Sequence, residues 1–480
     1  MRLAVLICIF LHLVQVIQAA PTTNTTNTTT TNDSLEAPSF TTRTLWTIVS
    51  SSVLTLFACI YSAIHPNIPS PKDSPYRISR RRLGIMIMAL IAPELIASWA
   101  MRQWISARSI TRQFKESGYF SVRREREERA PAEAPEQCEN RLLLAVLAQG
   151  VLSVLVFLWH FLCALARPVK RSVEAYFSEK YEENAWTQTH SSFLLMGGFM
   201  LYVDGEPYLT LLPGQILKLI RNDCIDVPTL TERQIHDRSK GNAISKGLVI
   251  LQVAWFVTQL ITRAIYHLET TQLEVGTLAF AVLNFLTYAA WWNKPLDVQC
   301  PHPVHWKSTD SRPADHDVDV PQRNQSSPWG IWSPVLNPIS ELLSGWSFVP
   351  QKLRVPTFFG NVTEDSGAWL VLLSGLLMAT IFGGIHCMGW FFAFPTYQEQ
   401  ALWRMSAVAI TCTPYLIFLH GCLTAIPCIP NAVRDAMSAS YVMLYVAARA
   451  ILLVLMFTTL RNLPPDAYQV VSWTSYVPHL

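Results

Sequence analysis

Eight apolar stretches, each close to the length of a membrane-crossing helix, constrain this 480-residue chain more than any other feature. They cover residues 44–64, 83–105, 142–166, 247–268, 273–292, 368–394, 402–426 and 439–460. A helix needs about 20 apolar residues to cross the hydrocarbon core, and in lipid only helices and closed barrels satisfy their own backbone. None of the stretches alternates with period two, so helices are expected. The composition agrees, with 50% hydrophobic and 15% charged residues, a mean hydropathy of +0.24 and a formal net charge of +3. Soluble domains carry about 25% charged residues. The expected fold is therefore an all-α membrane protein, a polytopic helical bundle of seven or eight transmembrane helices. Composition excludes a nucleic-acid binder driven by bulk charge and a small disulfide scaffold.

Met1-Arg2 precede an apolar run that ends at Ile17, and Ala19-Ala20 follow. One positive charge, a short apolar core and a small-residue exit predict a secretory signal peptide over residues 1–20. Residues 21–43 are dominated by Thr and Asn, show no apolar period and are expected to be disordered. They hold three N-x-[ST] acceptors, Asn24, Asn27 and Asn32, which predicts an extracytoplasmic, glycosylated tail. Asn324 and Asn361 complete the set of candidate glycosylation sites.

The stretch at 83–105 departs from a simple crossing. Pro93-Glu94 sits at its centre, and both flanks are basic: Lys72, Arg77, Arg80, Arg81 and Arg82 before it, Arg102, Arg108, Arg112 and Lys115 after it. Lys/Arg-rich short loops stay cytoplasmic, so a re-entrant or in-plane segment is expected here. Seven crossings then put the tail outside, residues 65–141 inside, 167–246 outside, the hairpin near Glu269 inside, 293–367 outside and the C-terminus inside. If all eight stretches cross, both long loops become cytoplasmic and the C-terminus external. The organisation is an N-terminal membrane region at 44–166 with basic loops, an extramembrane region at 167–246 and a transmembrane hairpin at 247–292. An irregular loop at 293–367, a C-terminal membrane bundle at 368–460 and a short tail at 461–480 complete it.

Within 167–246, Thr229-Leu230-Thr231-Glu232 has the spacing of a capping box and predicts a short helix from Leu230 to Asp237. Pro213 predicts a helix start running to Arg221. With seven crossings Cys224, Cys300 and Cys428 share the oxidising face, which permits one disulfide without choosing its partners.

Ionisable groups inside apolar stretches are costly and mark candidate sites. Glu94 and Arg449 are the two that lie centrally, and they are expected to pair across the bundle, as a proton or substrate site or as a structural ion pair. Arg263, near the end of its stretch, is expected to snorkel. His160, His386 and His420 are isolated imidazoles that packing and hydrogen bonding explain. Cys300-Pro301-His302-Pro303-Val304-His305 has metal-ligand residue types but no recognised spacing, so no metal and no cofactor is expected. Asp237 to Asn242 lacks the phosphate-loop frame, and no common catalytic signature occurs. Gly375, Ala379 and Gly383 form a small-xxx-small face, read as close helix packing and as a possible route to a homo-oligomer.

The strings Trp186-Thr187-Gln188-Thr189-His190, Met196-Gly197-Gly198-Phe199, Asp237 to Gly241 with Ser245-Lys246, and Trp291-Trp292-Asn293-Lys294-Pro295-Leu296-Asp297 to Pro301 resemble a family of uncharacterised fungal multi-pass membrane proteins. The resemblance covers about residues 80 to 305 and implies a fungal origin and a membrane location, with no activity attached. A transporter or channel is the leading expectation, because intramembrane charges are expensive unless used or paired. A seven-span receptor or membrane scaffold comes next. An integral-membrane enzyme of lipid or terpenoid metabolism is third, its acid/base groups drawn from Glu94, His190, His386 or Asp297. The expected partners are the lipid bilayer and a small-molecule or protein ligand, without nucleic acid, in the secretory pathway or plasma membrane.

Overall fold

The computed structural model describes residues 40–119, 186–239, 243–307, 352–360, 365–423 and 431–471. The signal peptide, the sequons at Asn24, Asn27, Asn32, Asn324 and Asn361, the stretch at 142–166 with His160, and Cys428 lie outside the described residues. The described chain is mostly helical. Among its helices five are long and apolar enough to cross a membrane, over Leu45–Ser62, Gln272–Ala290, Leu370–Phe391, Tyr397–Gly421 and Ala436–Arg461, and a bent pair raises the number to six.

In chain order the long helices are α1 (Leu45–Ala63), α2 (Pro75–Ile91) and α3 (Pro93–Glu116). Short helices α4 (Gln188–Leu195), α5 (Pro213–Arg221) and α6 (Glu232–Asp237) follow, then α7 (Ala243–Ile265) and α8 (Gln272–Ala290). The bundle closes with α9 (Asp365–Met388), α10 (Tyr397–Leu423) and α11 (Asn431–Thr458). Five short strands complete the fold. β1 (Phe40–Thr42) pairs antiparallel with β5 (Gln469–Val471). β2 (Phe199–Val203) lies between β3 (Glu206–Thr210), antiparallel, and β4 (His302–His305), parallel.

Side-chain contacts sort the loops to two ends of the bundle. At the terminal end, Arg43 pairs with Glu274 at 2.5 Å, and its Nε donates to the Ala467 carbonyl. Arg263 donates to the carbonyls of Glu269, Asp466, Ala467 and Gln469. Gln272 donates to Ala393, and Arg461 pairs with Glu399 at 2.7 Å. The start of α1, the α7–α8 turn, the α9–α10 turn and the C-terminal strand therefore meet there. At the opposite, subdomain end, Phe114 stacks on Trp186 with ring centroids 4.4 Å apart. Asn67 donates to the carbonyls of Pro356 and Thr357, and Ser239 exchanges hydrogen bonds with the backbone of Leu296.

These placements bear on the seven-crossing layout. Residues 65–118, 186–239, 291–307 and 352–360 assemble at one end, where that layout divides them between two faces. Phe40–Thr42 and Gln469–Val471 form one sheet, so the first and last described strands share an end of the bundle. The hairpin near Glu269 shares that end with the tail. Among the described helices α1, α8, α9, α10 and α11 are the five of membrane-crossing length and composition, α7 runs from the subdomain end to the terminal end, and α2 and α3 form a pair bent by 113°. Two cores result. One fills the bundle around Trp99, Phe280, Phe382 and Trp403, and the other fills the subdomain around Phe114, Trp186, Phe193 and Phe199.

Candidate functional site

The bend is built from Ala92 and Pro93. Ala92 closes α2 by donating its N–H to Met88 at 2.8 Å, with φ −139° and ψ 72° outside the helical range. Pro93 then opens α3 at its first position, where a proline lacks only an N–H that would have no partner anyway. The second residue of the new helix is Glu94. First-turn N–H groups have no helical acceptors and carry the positive end of the helix dipole, so a carboxylate placed here is stabilised by it.

Glu94 is 5% exposed. Its Oε1 accepts a 2.6 Å hydrogen bond from the hydroxyl of Tyr445 on α11, while Oε2 has no partner among the described residues. One helical turn further along, on the same face of α11, Arg449 is 1% exposed. Its guanidinium lies over Phe280 of α8 at 4.9 Å and Phe382 of α9 at 4.6 Å, a cation between two aromatic faces. One terminal nitrogen lies 3.1 Å from Nε2 of His386, whose Nδ1 is 2.8 Å from the Phe382 carbonyl. Because the carbonyl can only accept, Nδ1 carries the hydrogen, and Nε2 receives the Arg449 N–H through its lone pair. The imidazole is neutral. Trp403 fixes the same turn by donating Nε1 to the His386 carbonyl at 3.0 Å.

Glu94 and Arg449 thus share one buried cluster formed by α3, α8, α9 and α11. Their hydrogen bonds go to Tyr445 and His386 respectively. Arg449 Nε and its second terminal nitrogen, like Glu94 Oε2, have no hydrogen-bond partner among the described residues. One acceptor and two donor groups are therefore unspent in an otherwise apolar core. Gly375, Ala379 and Gly383 pack within the chain nearby. A Cβ at Gly375 would stand 3.1 Å from Ser98 Oγ of α3, one at Gly383 would strike Thr411 of α10, and Ala379 is buried.

A second buried cation was not anticipated. Lys294, just beyond α8, donates to the His65 carbonyl at 2.6 Å, Gln103 Oε1 at 2.9 Å and Asn67 Oδ1 at 3.1 Å. It also lies over the rings of Trp291 and Trp99, at 4.6 and 4.8 Å. Gln103 further accepts from Trp291 Nε1 and donates to the Phe359 carbonyl, so the knot ties α3, the end of α8 and the 352–360 segment together.

The remaining candidates separate. Arg263 is 3% exposed and clamps the C-terminal strand, so it does not snorkel. Besides the nearby Glu269 carbonyl, its acceptors are those of Asp466, Ala467 and Gln469, about two hundred residues away in sequence. His420 sits 3.2 Å from the Arg434 carbonyl and meets Tyr441 edge-on. His190 belongs to the subdomain, where its Nδ1 accepts from the Thr187 N–H at 3.1 Å and its Nε2 donates to the Leu230 carbonyl at 2.7 Å. Burial holds His190 below the ordinary histidine value. Burial pushes the nearby Glu232 carboxyl up, but the His236 imidazole 3.8 Å away and the hydrogen bond from Thr189 outweigh it and leave the group below the ordinary carboxylate range. His302 lies 3.2 Å from Arg238 and His305 is exposed. Three residues apart on one strand, their side chains take opposite faces. Asp297 pairs with Arg82 at 3.3 Å. Among the described residues no group of three or more His, Cys, Asp or Glu side chains is arranged to hold a metal ion.

A model of a family described as of unknown function, DUF8562, matches residues 6–146 and 163–311. The chain belongs to this family. The matched region contains Glu94, Lys294 and Asp297, whereas His386, Tyr445 and Arg449 lie beyond it. No curated protein and no solved structure matches the chain.

Proposed function

We propose that the chain is a fungal multi-pass membrane protein of the secretory pathway or plasma membrane that transports protons or a small polar solute coupled to them, with Glu94 as the group that gains and loses the proton. The observation that carries this reading is the position of Glu94. It stands at the tip of a helix pair that enters the bundle and turns back, facing Tyr445 and the Arg449–His386 pair. Charges inside a membrane are costly and persist where they serve transport or are paired, and interrupted helices meeting at mid-bundle are a recurrent way to build coupling sites.

Oε2 is the oxygen available to a proton, because Oε1 is held by the Tyr445 hydroxyl. Tyr445 holds the carboxyl group in one orientation. Neutral His386 keeps the guanidinium in place without adding a second positive charge. The sides follow from loop charge. The basic residues from Lys72 to Arg82 and from Arg102 to Lys115 lie at the subdomain end, against Arg43, Arg263, Arg404 and Arg461 at the terminal end. That asymmetry supports a cytoplasmic side for the subdomain.

Full-length protein reconstituted into liposomes with a trapped pH-sensitive dye tests the proposal. The wild type is expected to collapse an imposed pH gradient faster than empty liposomes, and Glu94→Gln to abolish the difference. Wild-type vesicles that hold the gradient as empty ones do, or Glu94→Gln vesicles that leak as fast as wild type, would overturn it.

A further inference from the structure

At the subdomain end, beside the foot of α1, a cavity of about 300 Å³ is lined by Arg81 and Arg82 together with Ser79, Asn67, Asp297 and Gln299. Its charge is unbalanced. Asp73 is the single carboxylate shared by three guanidiniums, those of Arg77 at 3.4 Å, Arg354 at 3.7 Å and Arg81 at 3.8 Å. Committed arginine–carboxylate bonds close to about 2.7–2.9 Å, so three cations gather around Asp73 without being neutralised by it. Asp297, the acid in the lining, faces Arg82 at 3.3 Å and cancels that charge alone. Arg82 keeps a buried Nε without a hydrogen-bond partner among the described residues, and its guanidinium stacks 4.6 Å over Tyr61. Tyr61 is 48% exposed on the outer face of α1, and Tyr76 and Leu83 on α2 are also exposed. The cavity thus opens at the level where a membrane-length helix ends, among aromatic residues of the kind that favour the headgroup layer.

We infer that this cavity binds a phosphate-bearing anion through Arg81 and Arg82, with the surplus charge of Arg77 and Arg354 behind them. Guanidinium forks match phosphate oxygens in pairs, and the volume lies at the small end of ligand pockets, which suits a phosphomonoester headgroup better than a bulky organic molecule. The inference stands apart from transport. None of its residues touches Glu94 or Arg449, and it survives if proton movement is absent.

Full-length protein in mild detergent supplies the test, by thermal unfolding with phosphatidic acid, phosphatidylcholine or inorganic phosphate, and by native mass spectrometry of retained lipid. Phosphatidic acid is expected to raise the unfolding midpoint and to be retained in preference to phosphatidylcholine. Arg81→Gln is expected to weaken this at least about tenfold, equivalent to about 1.4 kcal/mol. Arg80→Gln, which alters an exposed neighbour outside the cavity, is expected to leave it intact. Stabilisation by inorganic phosphate as well would assign the site to the phosphate group itself, and stabilisation by phosphatidic acid alone would assign it to a lipid. A response to neither, or an equal loss in Arg80→Gln, would overturn the inference. Should Arg81→Gln fail to fold, Arg82→Lys keeps a charge opposite Asp297 but removes the planar fork, and is expected to show the same loss.

Discussion

Lys294 satisfies three oxygen acceptors at once, a demand that an ammonium group meets and a neutral side chain cannot. Lys294→Met would take this donor from the His65 carbonyl and leave Gln103 Oε1 only its Trp291 donor and Asn67 Oδ1 only its Gln103 donor, a loss of about 1–3 kcal/mol. The expected outcome is a lower thermal midpoint in detergent, and an unchanged midpoint would show that the knot is dispensable. His190 carries the pH dependence of the subdomain. Burial lowers its folded value below the ordinary 6.5, so the unfolded chain takes up a proton first as pH falls. The stability it contributes is complete above that value and is lost on acidification towards the folded value. His302, lowered first by burial and then by Arg238, works in the same sense. The unfolding midpoint is therefore expected to fall between about pH 7 and about pH 5, and His190→Gln to flatten that slope. Equal slopes would remove His190 from the account. At this scale Glu94 and Arg449 could be found in the sequence because a charge within an apolar run stands out. Lys294 could not, because it follows the run, where a lysine ordinarily reaches water. Its one local signal is Trp291, three residues earlier, and its acceptors come from residues 65, 67 and 103.

Among the elements, the α2–α3 bend was legible because proline, a central acid and basic flanks on both sides all point to a segment that returns. The start of α6 was misread. Two overlapping frames compete, Thr229 with Glu232 and Thr231 with Gln234, and the structure uses the second, with the Thr231 hydroxyl accepting from the Gln234 N–H and the Gln234 side chain returning to the Thr231 N–H. The first frame fails for tertiary reasons. Glu232 is taken by the Thr189 hydroxyl at 2.6 Å, and the Leu230 carbonyl is taken by His190. The helix from Pro213 to Arg221 has no such rival frame and starts where proline places it. The start of α8 is a third case, since Glu274 both caps its own helix through Thr271 and pairs with Arg43 from the far end of the sequence. With the Arg43 and Glu274 side chains 7% and 3% exposed, Glu274→Ala would strand a buried guanidinium and remove the carboxylate half of the capping box. A loss of about 3–5 kcal/mol is expected. Thermal unfolding measures it, and Arg43→Met combined with Glu274→Met should recover part of the loss, because no unpaired charge then remains. A double variant as unstable as Glu274→Ala would mean that the cap, and not the ion pair, sets the stability of this end.

For the whole molecule, the decisive information is parity, which local sequence cannot supply. Counting apolar stretches gives seven or eight traverses, depending on how each ambiguous one is treated. The pairing of Phe40–Thr42 with Gln469–Val471 puts the first and last described strands at one end of the bundle, the arrangement of an even-numbered layout. The same parity reconciles two signals that conflict in the seven-crossing layout. With residues 40–42 and 469–471 at one end, the proposed orientation puts that end outside and the described basic residues, with Lys307 and Gly360, at the cytoplasmic end. Two measurements follow from this orientation. In a cysteine-free variant, Thr41→Cys is expected to react with an impermeant thiol reagent from outside, and Asp204→Cys, at the exposed tip of the β2–β3 hairpin, only after permeabilisation. Replacing Asn24, Asn27 and Asn32 by Gln is expected to remove every glycan-dependent mobility shift, whereas replacing Asn324 and Asn361 changes nothing. Labelling of both cysteines from the same side would contradict the traverse of α1 itself, because residues 41 and 204 occupy opposite ends of the bundle. Reversed labelling would preserve the fold but place the subdomain and its arginine-lined cavity outside, leaving the basic loops exposed against the usual charge rule.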